Sequence, residues 1–208
     1  MAKRIYLDHN STTPVDPRVI EAMLPYYRES WGNASSLHQF GRQAKAGLEE
    51  SRETIAKVFN CSPDEIYFTS GGTESDNFAI KGTAYEYCDK GKHLITSKIE
   101  HPAVLESFEF LEEQGYETTY LSVDNHCFVD PDDLKKAIRP DTILVSIMYA
   151  NNEVGSIQPI KDLASICKQK GVIFHTDAVQ AAGKIPIDLA SEPIDLMSTS
   201  GHKIYGPK

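Results

Sequence analysis

A chain of 208 residues, 40% apolar and 25% charged, has the composition of an ordinary globular protein and the length of one sizeable domain or part of a larger one. Its net charge of −9 argues against a nucleic-acid surface, and no apolar run approaches the ~20 residues of a membrane span. The opening MAKRIYLD leads straight into charged sequence, so no signal peptide is expected. Cys61, Cys88, Cys127 and Cys167 are scattered with no CxxC spacing, which argues against a zinc site or a disulfide framework and for a reducing cytoplasm.

The first fifteen or so residues fit no regular pattern. Residues 39–60 (QFGRQAKAGLEESRETIAKVFN) have helical periodicity. EIYFTS (65–70) reads as a strand that ends at Gly71-Gly72, and 73–91 as a helix closed by glycine. HLITSKIE (93–100) is a strand, and Pro102 opens the helix AVLESFEFLEEQG. ETTYLSV is a strand, DPDDLKKAI a short helix with Asp and Pro at its start, and TILVSIMYA (142–150) a buried strand. IKDLASICKQKG is a helix ending in glycine, followed by the strands VIFHTDAV and DLMSTSG. Strands alternating with helices predict an α/β fold with a mostly parallel sheet flanked by helices.

Ligands of open α/β sheets sit beyond the carboxyl ends of the strands. Five predicted strand ends carry polar, chemically able residues: Gly72 and Thr73; His101; Asn152; Asp177 and Gln180; Ser200, His202 and Lys203. Each has two readings. Gly71-Gly72-Thr73 before a helix offers free N–H groups to a phosphate, or is a tight turn with a Thr cap. Asp177, at the end of an apolar strand, pairs with a protonated ring nitrogen, or with a nearby Lys or Arg. His101 before a helix-starting proline stacks on a planar ring, or is a solvated loop residue. Asn152 holds a polar ligand group, or forms a turn. Lys203 is a Schiff-base nucleophile, or a surface lysine near the chain end. Read together, the functional alternatives ask for a phosphate, a planar ring, a basic ring nitrogen and a carbonyl. Pyridoxal 5′-phosphate has all of them.

Seven segments, in this order, carry a resemblance: YLDHNSTTPVDPRV, GNASSLHQFGRQA, FTSGGTESDN, EHPAV, YANNEVGSIQPI, HTDAVQAAGK and SGHKIYGPK. They resemble the cysteine desulfurases, pyridoxal-phosphate enzymes of fold-type I in the class V aminotransferase group. The resemblance implies the large cofactor domain of that fold, cut short. It makes Lys203 the lysine that binds the cofactor aldehyde and moves the substrate α-proton, with His101 stacking on the ring and helping in proton transfer. Asp177 would pair with the ring nitrogen and Gln180 with the ring oxygen. Gly72, Thr73, Ser200 and His202 would hold the phosphate, and Asn152 would touch cofactor and substrate. No metal is implied.

The same resemblance implies L-cysteine as substrate, with L-alanine and an enzyme persulfide as products, a homodimer, and an iron–sulfur scaffold or tRNA-thiolation protein as sulfur acceptor. Nucleic acid is not bound directly and no membrane is involved. Ser11 stands where the family pattern suggests Ala, and Ala34 where Pro is common. The family continues past the lysine motif, so residues 1–15 are expected to pack with a small domain and 16–208 to form the N-terminal part of the large domain. The rest of the large domain, the small domain, the substrate-carboxylate arginine and the persulfide cysteine are expected to lie outside this chain, which alone would be inactive. Two alternatives stay open: a related enzyme (a selenocysteine lyase or class V aminotransferase), and a non-catalytic fragment.

Overall fold

The structure, a computed structural model, describes residues 4–208. The chain divides into two compact units. One comprises residues up to Phe68 with Ile187–Ala190 and Gly201–Lys208, and the other Thr69–Pro186 with Ser191–Ser200.

The second unit is built on five strands: β1 (His93–Ser97), β2 (Glu117–Leu121), β3 (Thr142–Ser146), β4 (Ile173–Asp177) and β5 (Leu196–Ser198). All neighbours pair in parallel, in the order β2-β1-β3-β4-β5. The order reverses between β1 and β3, so the loops leaving these strands diverge and open a crevice at their carboxyl ends. β1 and β3 are buried along their whole length, as parallel strands flanked by helices must be.

Four helices of this unit flank the sheet: α3 (Gly72–Glu86), α4 (Pro102–Glu113), α5 (Pro131–Ala137) and α6 (Ile160–Lys170). Ile80 and Ala84 of α3 and Val104, Phe108 and Leu111 of α4 form one apolar cluster with Leu94 and Leu144 of the sheet. The helix starts are legible locally: Asp130 caps α5 by accepting from the Asp132 N–H, and α4 and α5 both begin with proline. Gly171 ends α6 in the left-handed conformation at φ 69°, where a side chain would be strained.

The other unit holds α1 (Pro17–Arg28) and α2 (Gln39–Phe59). The sequence pattern gave no helix at α1, yet Asp16 caps it and Pro17 occupies its first turn. Its amphipathic face buries no residue completely, which is why apolar periodicity alone is a poor guide there. Gly47 of α2 faces the Tyr26 ring of α1, and a Cβ at that glycine would lie 2.5 Å from the ring. The two helices approach this closely only because position 47 lacks a side chain.

The expected strand at residues 65–70 is not formed. Pro63–Glu65 make a turn of 3₁₀-helix, and Ile66–Thr69 run without a ladder partner among the described residues. The backbone is instead tied by a bond from the Arg52 guanidinium to the Ile66 carbonyl. β-propensity favours extended backbone, but a strand also needs an adjacent edge to pair with. The helix expected over 73–91 stops at Glu86, before its glycine.

Phe108 is fully buried in the apolar cluster while Phe110, two residues on, is partly exposed beneath the Lys81 ammonium. Phe108→Ala should lower unfolding stability by about 3–5 kcal/mol, and Phe110→Ala by about 1 kcal/mol or less. Urea titration of both variants checks the difference.

Candidate cofactor site

In the sheet unit, the carboxyl end of β1 runs into Glu100 and His101. His101 is the N-cap of α4, and its Nδ1 accepts the Ala103 N–H at 3.1 Å. That bond puts the ring proton of a neutral His101 on Nε2, leaving this nitrogen available for proton transfer. Across the crevice, the end of β3 leads to Asn151 and Asn152. Asn151 is buried: its Oδ1 accepts the N–H groups of Glu153 and Val154, and its Nδ2 donates to the Ile99 carbonyl at 2.9 Å. Asn152 is less buried and donates to Glu153 Oε1 at 3.0 Å.

Asp177, the last residue of β4, is 5% exposed and its Oδ1 accepts the Val179 N–H at 2.9 Å. Gln180 follows in the same turn and accepts from Lys184 Nζ at 2.8 Å. Gly72 opens α3, followed by Thr73. A Cβ at Gly72 would stand 3.0 Å from a Val179 methyl and 3.5 Å from Ser200 Cβ. The amino end of α3 is thus brought against Ser200 and the turn that follows Asp177. A helix amino terminus, a hydroxyl and a position without a side chain fit a phosphate group. The nearby buried carboxyl fits a cationic ring nitrogen. The residues present in this unit therefore suit pyridoxal phosphate.

Asp76, Glu100 and His175 are ionisable residues that the sequence reading did not single out. Asp76 lies one turn into α3 and is 1% exposed; Glu100 is 5% exposed; His175, inside β4, is fully buried. Burial first, and the charge of Asp177 second, push the Asp76 carboxyl up to about 8. Burial also raises Glu100 to about 8, partly opposed by bonds from Ser97 and the Met148 N–H. The only available signal was a charged residue where the local pattern calls for an apolar one.

His202 and Lys203 belong to the other unit. They close a short 3₁₀ turn, Gly201–Lys203, that is clasped by the start of the chain. Thr13 donates both its N–H (2.9 Å) and its hydroxyl (2.8 Å) to the His202 carbonyl, and its Oγ1 accepts the Tyr205 N–H at 2.7 Å. Thr12 Oγ1 meets His202 Nδ1 at 3.1 Å. Lys203 Nζ donates to the Asn10 carbonyl and, at 2.9 Å, to the Ser11 carbonyl. Burial and the positive charges of Lys203 and Lys208 lower the His202 pKa. The lysine motif is therefore held by the segment that showed no regular pattern.

The family model described as aminotransferase class-V matches residues 5–208. The chain belongs to the class-V aminotransferase family. This is a family of pyridoxal-phosphate-dependent enzymes, and the similar curated relatives are cysteine desulfurases. "Cysteine desulfurase IscS" of Dictyoglomus turgidum is 57% identical over 208 residues, all of this chain and 53% of that protein. The protein of the same name from Methanosarcina thermophila is 55% identical over 206 residues, 99% of this chain and 51% of its own length. The chain spans about half the length of the curated relatives it matches. Among solved structures, a "NifS-like protein" superposes with a TM-score of 0.96 at 46% identity, covering 99% of this chain and 57% of that one. "SspA in complex with cysteine" superposes at 0.95 with 41% identity, covering 98% and 58%.

Thr13→Val keeps the shape of the clasp and removes its hydroxyl. The Tyr205 amide loses its acceptor and should exchange with deuterium about tenfold faster, reflecting roughly 1–2 kcal/mol of lost local stability. Amide exchange followed by mass spectrometry checks it; unchanged protection of residues 202–206 would show that the clasp is held elsewhere.

Proposed function

We propose that this chain is the cofactor-binding part of a cysteine desulfurase that converts L-cysteine to L-alanine and transfers the substrate sulfur to a protein thiol as a persulfide. The observation that carries this reading is Asp177, buried at the end of β4 beside the amino terminus of α3, in a chain 57% identical to a cysteine desulfurase. The cofactor supplies an electron sink for bonds at the substrate α-carbon.

Gly72, Thr73, Ser200 and His202 bind the phosphate through N–H groups and polar side chains. Asp177 holds the ring-nitrogen proton by charge attraction in a dry setting, where that attraction is strong. Gln180 and Asn152 orient polar groups of ring and substrate. Lys203 anchors the cofactor and, with His101 Nε2, moves protons at the reacting carbon. The balance of the reaction is simple: the thiol gains the substrate sulfur, and the substrate carbon gains a proton. Residues 16–208 serve as the first part of the cofactor domain, and the segment 1–15, of which residues 1–3 lie outside the described residues, packs with a small domain. The exposed side chains of Ile5 and Leu7 support such a covering. A homodimer, and an iron–sulfur scaffold or tRNA-thiolation protein as sulfur acceptor in the cytoplasm, complete the proposal.

Two measurements test it. Borohydride reduction in the presence of pyridoxal phosphate should place the label on Lys203; a label on Lys184 or Lys208 instead overturns the assignment. Asp177→Asn keeps the shape and removes the charge, so the cofactor should still bind while substrate α-proton exchange falls by about a hundredfold or more. Unchanged exchange would make Asp177 an ordinary structural carboxylate.

A further inference from the structure

Asp177 is not the only acid in its neighbourhood. Asp76 of α3 and Glu100, beyond β1, both act electrostatically on it or on each other through the protein interior. Neither Asp76 nor Glu100 satisfies its oxygens. Glu100 Oε1 accepts the Ser97 hydroxyl at 2.5 Å and the Met148 N–H at 3.0 Å, but Oε2 is buried without a hydrogen-bond partner. Asp76 Oδ1 is likewise buried without one. An ionised carboxylate left with a bare oxygen in a dry interior is far costlier than a neutral acid in the same place.

The only ion-pairing candidate for Asp76 among the described residues is His175, whose Nε2 lies 3.7 Å from Asp76 Oδ1. The ring is fully buried. Nδ1 meets Ser146 Oγ at 2.8 Å and Nε2 meets Ser198 Oγ at 3.0 Å, so both nitrogens are bonded to hydroxyls, which serve either as donor or as acceptor. Burial pushes the His175 imidazole down to about 3, so it brings no positive charge. Ser198 opposes the effect of burial on Asp76, favouring its charged form, but is outweighed by burial and by Asp177. The bonded chain thus runs Ser146, His175, Ser198, and brings no positive charge to Asp76.

We propose that Asp76 and Glu100 are positioning residues that keep their protons at neutral pH, so that neither adds a negative charge beside Asp177 in the setting that would meet a cationic ring nitrogen. The ionisable groups around each acid are few. On Asp76 they are Asp177 and His175 of β4; β3 and β5, which also pack on α3, carry no ionisable residue, and none on α4 acts on it. On Glu100 they are Asp177 and Asp76. Both acids are raised to about 8, in line with this proton inventory. As pH climbs through that value, ionisation of Asp76 adds a negative charge near Asp177 and strengthens the hold of this set of acids on a cation. The last step rests on the reading that Asp177 meets the ring nitrogen of pyridoxal phosphate; the proton inventory does not.

The test begins with carboxyl carbon NMR of the 208-residue protein labelled at Asp and Glu. The resonances that vanish in Asp76→Asn and in Glu100→Gln should sit at the protonated position at pH 7 and titrate near pH 8. Asp76→Asn should also lower the Glu100 midpoint, because a like charge is gone. Either resonance at the carboxylate position at pH 7 overturns the proposal. A raised carboxyl stabilises the fold fully below about pH 4, and that contribution is lost as pH rises to about 8. Asp76→Asn should therefore gain thermal stability over the parent at pH 8 and not at pH 4; if this variant does not fold, Glu100→Gln carries both measurements.

The positioning role has its own readout. Pyridoxal phosphate, followed by its absorbance, should bind the parent roughly tenfold more tightly at about pH 9 than at about pH 7, relative to Asp76→Asn, in which the step is absent. Parallel profiles in parent and variant overturn the positioning role. A parent that binds no cofactor sinks the functional reading instead, and the carboxyl resonances still decide the proton inventory.

Discussion

A carboxyl group buried at the end of a parallel strand must be answered by donors, by a cation or by a proton, because the interior solvates it poorly. Asp177 is placed under this constraint by β4, whose five residues are drawn into the sheet between β3 and β5. Much of the surrounding polar chemistry follows from it. The Val179 N–H is turned back to the carboxylate, Ser198 and His175 relay hydrogen bonds behind it, and Asp76 and Glu100 are forced toward their neutral forms. Asp76, Glu100 and Asp177 are each at most 5% exposed, so hydration does little for any of them.

The strand order supplies the second constraint. Because the strand order reverses between β1 and β3, the loops after these strands carry Glu100 and His101 on one side and Asn151 and Asn152 on the other. The crevice is spanned by backbone-directed bonds: Glu100 accepts from Met148, and Asn151 donates to Ile99. These bonds leave His101 and Asn152 comparatively accessible. Buried polar residues therefore build the crevice, and their neighbours in sequence, His101 and Asn152, are less buried.

The lysine motif obeys a different logic. The turn Gly201–Lys203 has too few residues to hold itself, and Thr12, Thr13, Asn10 and Ser11 supply its partners. One threonine side chain both donates to the His202 carbonyl and accepts the Tyr205 N–H, so a single hydroxyl serves two ends of the turn. Tyr205 adopts φ 65°, a conformation that a non-glycine residue keeps only when its surroundings impose it.

What the sequence by itself determined was most of the alternation of strands and helices, the proline starts of α4 and α5 with Asp130 before the latter, the glycine end of α6, and the polar residues at the strand ends. These are local or periodic signals, set by side-chain spacing, proline and backbone freedom. Tertiary structure alone decided the rest. The segment Ile66–Thr69 has the residues of a strand but no edge to pair with among the described residues, and α1 lacks the buried stripe that would have announced it. The start of the chain looked patternless because its role is to satisfy one distant turn, an interaction with no period. Asp76, Glu100 and His175 were silent for a related reason. Whether an acid or an imidazole carries charge depends on what surrounds it in space, and the chain order of α3, β1 and β4 holds no trace of that.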